Sequence, residues 1–270
     1  FSEVLARNSF ANQMIEIAIN GCNGKMGQVV ADTIAASFSD SARVSYGVDL
    51  SAPQNAPFPV YTAFPQIPED VRADVMIDFS NPAALPGLLN FARSRRIPVV
   101  IATTGLSKED EQSLRAAASE IPVFWSANMS LGVCLLKELA KKAAAFLGEN
   151  FDIEIVEKHH NRKLDAPSGT ALAIADAINE SEGNRFCYEY DRHSRRAKRK
   201  KTEIGISSVR GGNIVGDHEV IFAGQNEVLE ISHRAMSRNL FADGAVKAAF
   251  FLKDKPAGFY GMDSLYKNIG

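Results

Sequence analysis

The chain has 270 residues, 46% of them hydrophobic and 23% charged, with a formal net charge of −2. This is a globular composition with room for one large domain or two smaller ones, and it offers no overall basic field to recruit nucleic acid. No run of about 18 apolar residues occurs, so no membrane span is expected. The three scattered cysteines, Cys22, Cys134 and Cys187, form no CxxC pair, which argues for reduced thiols in a cytoplasmic protein and against a disulfide framework or a zinc site.

Residues 1–13 lack the long apolar core of a signal peptide, and Met14 opens a β-rich run directly. They read as a tag or loose extension ahead of a start at Met14. Residues 15–20 (IEIAIN) form a short apolar strand, 21–27 (GCNGKMG) a glycine turn, and 28–37 a helix. Further strands follow at 43–49, 74–79, 98–102 and 122–125, with helices at 81–95 and 107–119 between them. Apolar strands without polar alternation, alternating with helices, indicate a buried parallel sheet covered on both faces. The register then changes. Residues 131–147 are a long helix, 151–157 (FDIEIVE) alternate as a strand with one exposed side, and 170–179 are helical. Alternating strands at 188–190, 203–209, 219–223 and 228–233 predict a second, open mixed or antiparallel sheet with helices on one face. A helix at 241–252 and the tail AGFYGMDSL close the chain. The basic run RRAKRKK at 195–201 reads as a solvated loop near an anionic ligand; without interleaved aromatics it is a poor nucleic-acid site.

Gly21, Gly24 and Gly27 sit between the first strand and its helix. There glycine allows a tight turn and close approach of a pyrophosphate to the backbone, and the helix start offers free N–H groups. The spacing is GxxGxxG, a variant of the usual dinucleotide-binding turn. Asp49, at the end of the second strand, suits the adenosine ribose hydroxyls and would repel a 2′-phosphate. Leu50 follows it in place of an arginine, while Lys25 within the turn offers a competing cation. Asp78-Phe79-Ser80-Asn81-Pro82 and Ala102-Thr103-Thr104-Gly105 also fall at carboxyl ends of parallel strands, the ligand-binding edge of such sheets.

The block EKHHNRKLDAPSGTA, residues 157–171, is dense in chemistry. His159 and His160 cannot share a face while a strand persists, so the strand is expected to end before them and a loop to present both rings. Ser168 is a good N-cap, and the amides of Gly169 and Thr170 then face outward to hold a carboxylate. Adjacent histidines that merely cap a strand are the plain alternative. No third local ligand supports a metal.

Together, GCNGKMG, DFSNP, ATTG, ANMSLGV, the EKHH block, VRGGNIVGDHEV and ISHRAMSR resemble the dihydrodipicolinate reductase family, from Met14 to the C-terminus. The glycine turn departs in carrying Cys22-Asn23 where many members have small residues. The resemblance implies an N-terminal Rossmann-type dinucleotide-binding domain (14–130, with 241–270 returning to it) and an α+β substrate and tetramerisation domain (131–240). It implies NADH- or NADPH-dependent reduction of a cyclic imine dicarboxylate in the diaminopimelate and lysine pathway, by a homotetramer. It implies His159 as general acid and Lys163 as a catalytic, substrate-binding cation, with His160 also at the substrate, where the helix-start amides of Gly169 and Thr170 are expected to join them. The cofactor residues carried over are Gly21, Asn23, Gly24, Lys25, Met26, Gly27, Asp49, Phe79, Ala102, Thr103, Thr104, Ala127, Asn128 and Met129. Asp49 with Leu50 leads us to expect NADH to serve at least as well as NADPH. His193, His218 and His233 read as structural. A nicotinamide-sensing DNA regulator would need a helix-turn-helix, which is not visible, and a dehydrogenase of another small acid would not need the EKHH block.

Overall fold

The computed structural model describes residues 14–53, 56–194 and 196–269; the extension at 1–13 lies outside them. The first strand, β1 (Ile15–Asn20), buries Ile15, Ile17, Ala18 and Ile19, which places it in the middle of a sheet covered on both faces. After it come α1 (Lys25–Ser37), β2 (Ala42–Val48), β3 (Val60–Tyr61), β4 (Val75–Asp78), α2 (Leu85–Arg95), β5 (Val99–Ile101), α3 (Lys108–Ala117) and β6 (Pro122–Trp125). Ser107 starts α3 with a capping box: its hydroxyl accepts the Asp110 N–H while the Asp110 carboxylate accepts its own.

The chain then builds a different layer. The helix α4 (Leu131–Leu147) leads into β7 (Asp152–His159), α5 (Gly169–Ser181), β8 (Cys187–Glu189), β9 (Glu203–Arg210), β10 (Asp217–Ala223) and β11 (Val228–Arg234). Finally α6 (Asn239–Leu252), β12 (Gly258–Tyr260) and α7 (Met262–Ile269) follow.

Two compact units result. One holds the residues up to Met129 and those from Arg238 onward; the other runs Ser130–Ser237. Ser130 goes with the second unit because its hydroxyl caps α4 by accepting the Val133 N–H. Residues 238–240 go with the first because they open α6.

The first unit carries a seven-stranded sheet in the order β12-β6-β5-β4-β1-β2-β3, all parallel. On one face α2 and α3 pack Leu88, Leu89, Ala92 and Leu114 against Ala18, Met76, Val99 and Val123. On the other, α1 and α6 pack together, α6 lying on β4, β5 and β6 with Ala245, Val246, Ala249 and Leu252 buried. Three elements here were not expected from sequence. Both β3 and β12 are edge strands too short for periodicity, and the tail, to which no element was assigned from sequence, supplies β12 and α7. Helix α1 also starts at Lys25, three residues earlier than expected, so the end of the glycine turn is already helix.

The second unit carries a five-stranded mixed sheet, β11-β10-β7-β9-β8, with β7, β9 and β8 parallel and β10 antiparallel to both its neighbours. Its core is Ile153, Ile155, Ile204, Ile206, Val220 and Phe222 against Leu136, Ala140, Ile174 and Ile178 of α4 and α5, so both helices lie on one face. Each fully buried aliphatic side chain of this kind contributes roughly 1.5–3 kcal/mol.

The described part of the basic run, 196–201, is an exposed loop as expected, except at Arg199. Arg199, only 18% exposed, binds Asp152 and Glu154 at 3.0 Å each and donates to the carbonyls of Ile153 and Glu203. Arg192 joins from outside the run, to Glu154 and Glu203. The strand carboxylates, distant in sequence, anchor it to the sheet.

Candidate functional site

The first unit gathers its chemistry at the carboxyl ends of β1, β2, β4 and β5. Gly21 turns the chain with φ +81°, and a Cβ there would lie 2.8 Å from the Phe79 carbonyl oxygen. Gly24 is the N-cap of α1 with extended backbone and no side-chain cap. The Gln28 N–H is the one that reaches back to the Gly24 carbonyl, at 3.0 Å. The amides of Lys25, Met26 and Gly27 therefore open the helix without an intrahelical acceptor. Gly27 must lack a side chain, because a Cβ would stand 2.1 Å from the Gly21 carbonyl oxygen. The result is a backbone cradle at the positive end of a helix, a fit for a dinucleotide's pyrophosphate. Cys22 is buried beside it, and burial together with the Asp49 charge pushes its thiol up to about 11, so it stays a neutral packing group.

Asp49 is already engaged. Its carboxylate accepts the Asn23 N–H at 2.9 Å and the Leu50 N–H at 2.7 Å, which clamps the glycine turn to the end of β2. Each oxygen retains a second acceptor direction for a ribose hydroxyl. Lys25 is exposed in the first turn of α1.

Beneath the cradle lies a buried knot. The Asp78 carboxylate accepts from Asn20 at 2.8 Å, Ser80 Oγ at 2.5 Å and Thr103 Oγ1 at 2.6 Å. It joins the ends of β1, β4 and β5. Burial raises its pKa, and those three donors oppose the shift. Thr103, among the expected cofactor residues, thus has its hydroxyl turned inward, whereas Thr104 is exposed. Phe79 and Ala102 continue the same edge, their N–H groups bonded to Asn20 and Asp78 carbonyls. Ala127, Asn128 and Met129 follow β6. There the Ser126 hydroxyl donates to the Asn128 carbonyl, and Met129 is buried.

The second unit presents the histidine block differently from the sequence expectation. Strand β7 does not stop short of the histidines; it runs through His159. Its inward face reads Ile153, Ile155, Glu157, His159. His159 is buried as the last strand residue, and His160 begins the turn, its carbonyl accepting the Lys163 N–H at 3.1 Å.

Glu157, wholly buried, was given no role from sequence. Its Oε2 is 2.6 Å from His159 Nδ1, Arg210 grips both oxygens at 2.8 and 2.7 Å, and the Ser168 N–H donates to Oε1 at 3.1 Å. Burial would raise this carboxyl, but hydrogen bonds from Arg210, Ser208 and His159 outweigh it and bring it down to about 2.

Ser168 caps α5 by accepting the Ala171 N–H, and its hydroxyl also meets His218 Nε2 at 3.0 Å. The His218 ring stands edge-on to His159, centroids 5.2 Å apart. Gly169 and Thr170 open α5, and a Cβ on Gly169 would meet nothing within 4 Å, so the helix start is open. Lys163 Nζ pairs with Asp165 at 2.8 Å. The hydrogen bond from Lys163, helped by the backbone N–H groups of Asp165 and Gly169, outweighs burial and holds the Asp165 carboxyl below its usual range. Among the described residues, no cluster of three His, Cys, Asp or Glu side chains could hold a metal, and no helix is long and apolar enough to cross a membrane.

The comparisons decide the family. "Dihydrodipicolinate reductase, N-terminus" matches residues 15–129, and "Dihydrodipicolinate reductase, C-terminus" matches 132–265. The chain belongs to the dihydrodipicolinate reductase family. A 4-hydroxy-tetrahydrodipicolinate reductase from Caldanaerobacter subterraneus subsp. tengcongensis is 54% identical over 255 residues, covering 94% of this chain and 99% of the relative. One from Clostridium tetani is 46% identical over 252 residues, covering 93% and 97%. Among solved structures, a dipicolinate-bound dihydrodipicolinate reductase from a Paenisporosarcina species shares the fold with a TM-score of 0.76 at 24% identity, covering 92% of this chain and 98% of that one.

Of the functional neighbours missed from sequence in this reductase-family chain, Glu157 had a usable signal. It lies two residues before His159 on a strand whose alternate positions are Ile153 and Ile155, so an acid falls on the buried face. Arg210 and His218 come from other strands and could not be paired with it by spacing.

Proposed function

We propose that this chain reduces 4-hydroxy-tetrahydrodipicolinate to tetrahydrodipicolinate, with loss of water, using a nicotinamide dinucleotide. The observation that carries the reading is the second-unit cluster: a buried histidine backed by a carboxylate, near a cation and an open helix start, in a chain whose first unit has a pyrophosphate cradle. A nicotinamide bound at the first unit supplies the hydride. The chain's own residues do the rest.

Adding a hydride to a conjugated imine leaves an electron-rich carbon or nitrogen that must take a proton. His159 is the donor: a charged imidazole can give a proton from one ring nitrogen while the other keeps its own. Lys163 and the Gly169 and Thr170 amides hold substrate carboxylates, with His160 alongside. Lys163 is paired with Asp165 beforehand, but Asp165 is 56% exposed. A pair with so exposed a partner is worth about 0–1 kcal/mol, so an incoming carboxylate takes the lysine over at little cost. The dipicolinate bound to the Paenisporosarcina protein is a flat dicarboxylate of the kind this arrangement suits.

Asp49 favours NADH, with Lys25 as the opposing influence. The second unit is the substrate and assembly unit of a homotetramer, because β11 and the end of β9 leave Val228, Leu229 and Val209 exposed. The deciding assay mixes pyruvate and aspartate semialdehyde with their synthase, adds this protein, and follows nicotinamide absorbance. No oxidation of either NADH or NADPH would overturn the reading.

A further inference from the structure

His159 has two ring nitrogens, and the reduction proposed above does not say which gives the proton. The surroundings of the ring differ sharply on its two sides. At Nδ1 stands the Glu157 carboxylate, 2.6 Å away and wholly buried. Two Arg210 nitrogens and the Ser168 N–H saturate that carboxylate from the other directions. At Nε2 stands Gly216, where a Cβ would come within 3.0 Å of Nε2 and 3.3 Å of the adjacent ring carbon. One nitrogen is occupied by an anion and the other is flanked by a residue with no side chain.

We propose that Glu157 is a positioning residue that claims Nδ1 of His159, leaves Nε2 as the nitrogen that delivers the proton, and ties that ring to the start of α5 through Ser168. This rests on the reduction proposed above. An ionised carboxylate only accepts hydrogen bonds, so Nδ1 keeps its proton whether the ring is charged or neutral. The transferable proton is then the one on Nε2. The charged ring breaks its Nε2–H bond, the proton forms a bond to the electron-rich atom of the reduced substrate, and the neutral Nδ1–H tautomer remains. A proton from water then restores Nε2–H, with no change of oxidation state on the protein.

The same carboxylate holds the Ser168 backbone, and Ser168 caps the helix whose first amides face the substrate. Glu157 therefore fixes the donor and the anion-binding helix start to each other. A carboxylate present only to balance Arg210 would have no effect on proton delivery.

The test compares Glu157→Gln with His159→Gln. Glutamine keeps a carbonyl for Ser168 and Arg210 but turns an N–H donor toward Nδ1, which disfavours the charged ring. We expect kcat to fall on the order of 10- to 100-fold, by analogy with the loss when a partner orienting a metal-bound histidine is replaced. Substrate KM and NADH binding should change by less than about threefold, and the solvent deuterium effect on kcat should rise as proton delivery becomes slower. If Glu157→Gln matches wild type in kcat and solvent effect while His159→Gln is impaired, the positioning role is wrong and the reaction stands. If His159→Gln is also unimpaired, the donor assignment itself fails. Should Glu157→Gln not fold, nitrogen NMR of the wild-type protein decides. Neutral His159 must show Nδ1 protonated and Nε2 bare, and the opposite tautomer overturns the proposal.

Discussion

Lowering the pH from 7 to 5 should weaken the second unit through His218, a residue with no part in proton delivery. The ring is 4% exposed. Burial, followed by the His159 charge, lowers its pKa from the ordinary 6.5 to about 4, with Glu157 opposing and His233 and Lys163 adding to the shift. The unfolded chain therefore takes up the proton first. Stability is unaffected well above about pH 6.5 and drains away as the pH falls through the window from about 6.5 to about 4. At about 1.36 kcal/mol per pH unit of difference, the whole effect is about 3 kcal/mol, of which about 2 kcal/mol is lost by pH 5. The assay is urea unfolding of wild type and His218→Gln across this range, followed by amide exchange in β7 and β10. Fluorescence would not serve, because the single tryptophan, Trp125, lies in the first unit. Losing the Ser168 contact shifts the variant by a constant amount at every pH. The informative quantity is therefore the difference between the two proteins, which should shrink by about 2 kcal/mol from pH 7 to pH 5. Parallel curves would show that His218 does not resist protonation and would refute the reasoning.

His159→Gln should lose about 10²–10⁴-fold in kcat with NADH binding, read by cofactor fluorescence, unchanged; a wild-type rate would move the proton donor elsewhere. Lys163→Ala removes a charge-assisted contact of roughly 1.5–3 kcal/mol, so substrate KM should rise about 10- to 150-fold, and an unchanged KM would exclude Lys163 from the carboxylate. With Asp49 at the end of β2, kcat/KM for NADH should equal or exceed that for NADPH, and a strong NADPH preference would mean that Lys25 dominates. Light scattering should give a tetramer mass, while a monomer mass at working concentration would remove the assembly role of the second sheet.

How legible was this in the sequence? The glycine turn was readable because Gly21 and Gly27 occupy places where a Cβ would strike backbone, and such demands leave a mark in the residue itself. The parallel sheet was readable because strands buried on both faces are apolar throughout. The strands Val60–Tyr61 and Gly258–Tyr260 were not, since two or three residues carry no period. The end of β7 was misplaced because polar residues at 157–160 look like a solvated turn. In fact Glu157 and His159 neutralise each other's burial by pairing, with Arg210 arriving from the neighbouring strand. Arg199 was misread for the same reason: its partners, Asp152 and Glu154, are over forty residues away.

The first unit is discontinuous: its α6 and β12 come from beyond Ser237. On a ribosome this reverses the usual order in which domains finish. The second unit, an unbroken stretch, is complete while the sheet begun at Ile15 still lacks the cover over β4, β5 and β6 on one face, where α1 alone is in place. The helix that covers β4, β5 and β6 is synthesised roughly a hundred residues after β6. At about 5–20 residues per second, the apolar face waits for on the order of 5–20 seconds. During that interval the nascent chain is a target for chaperones and for neighbouring chains. Losing the last thirty or so residues would disable the half of the protein that was made first.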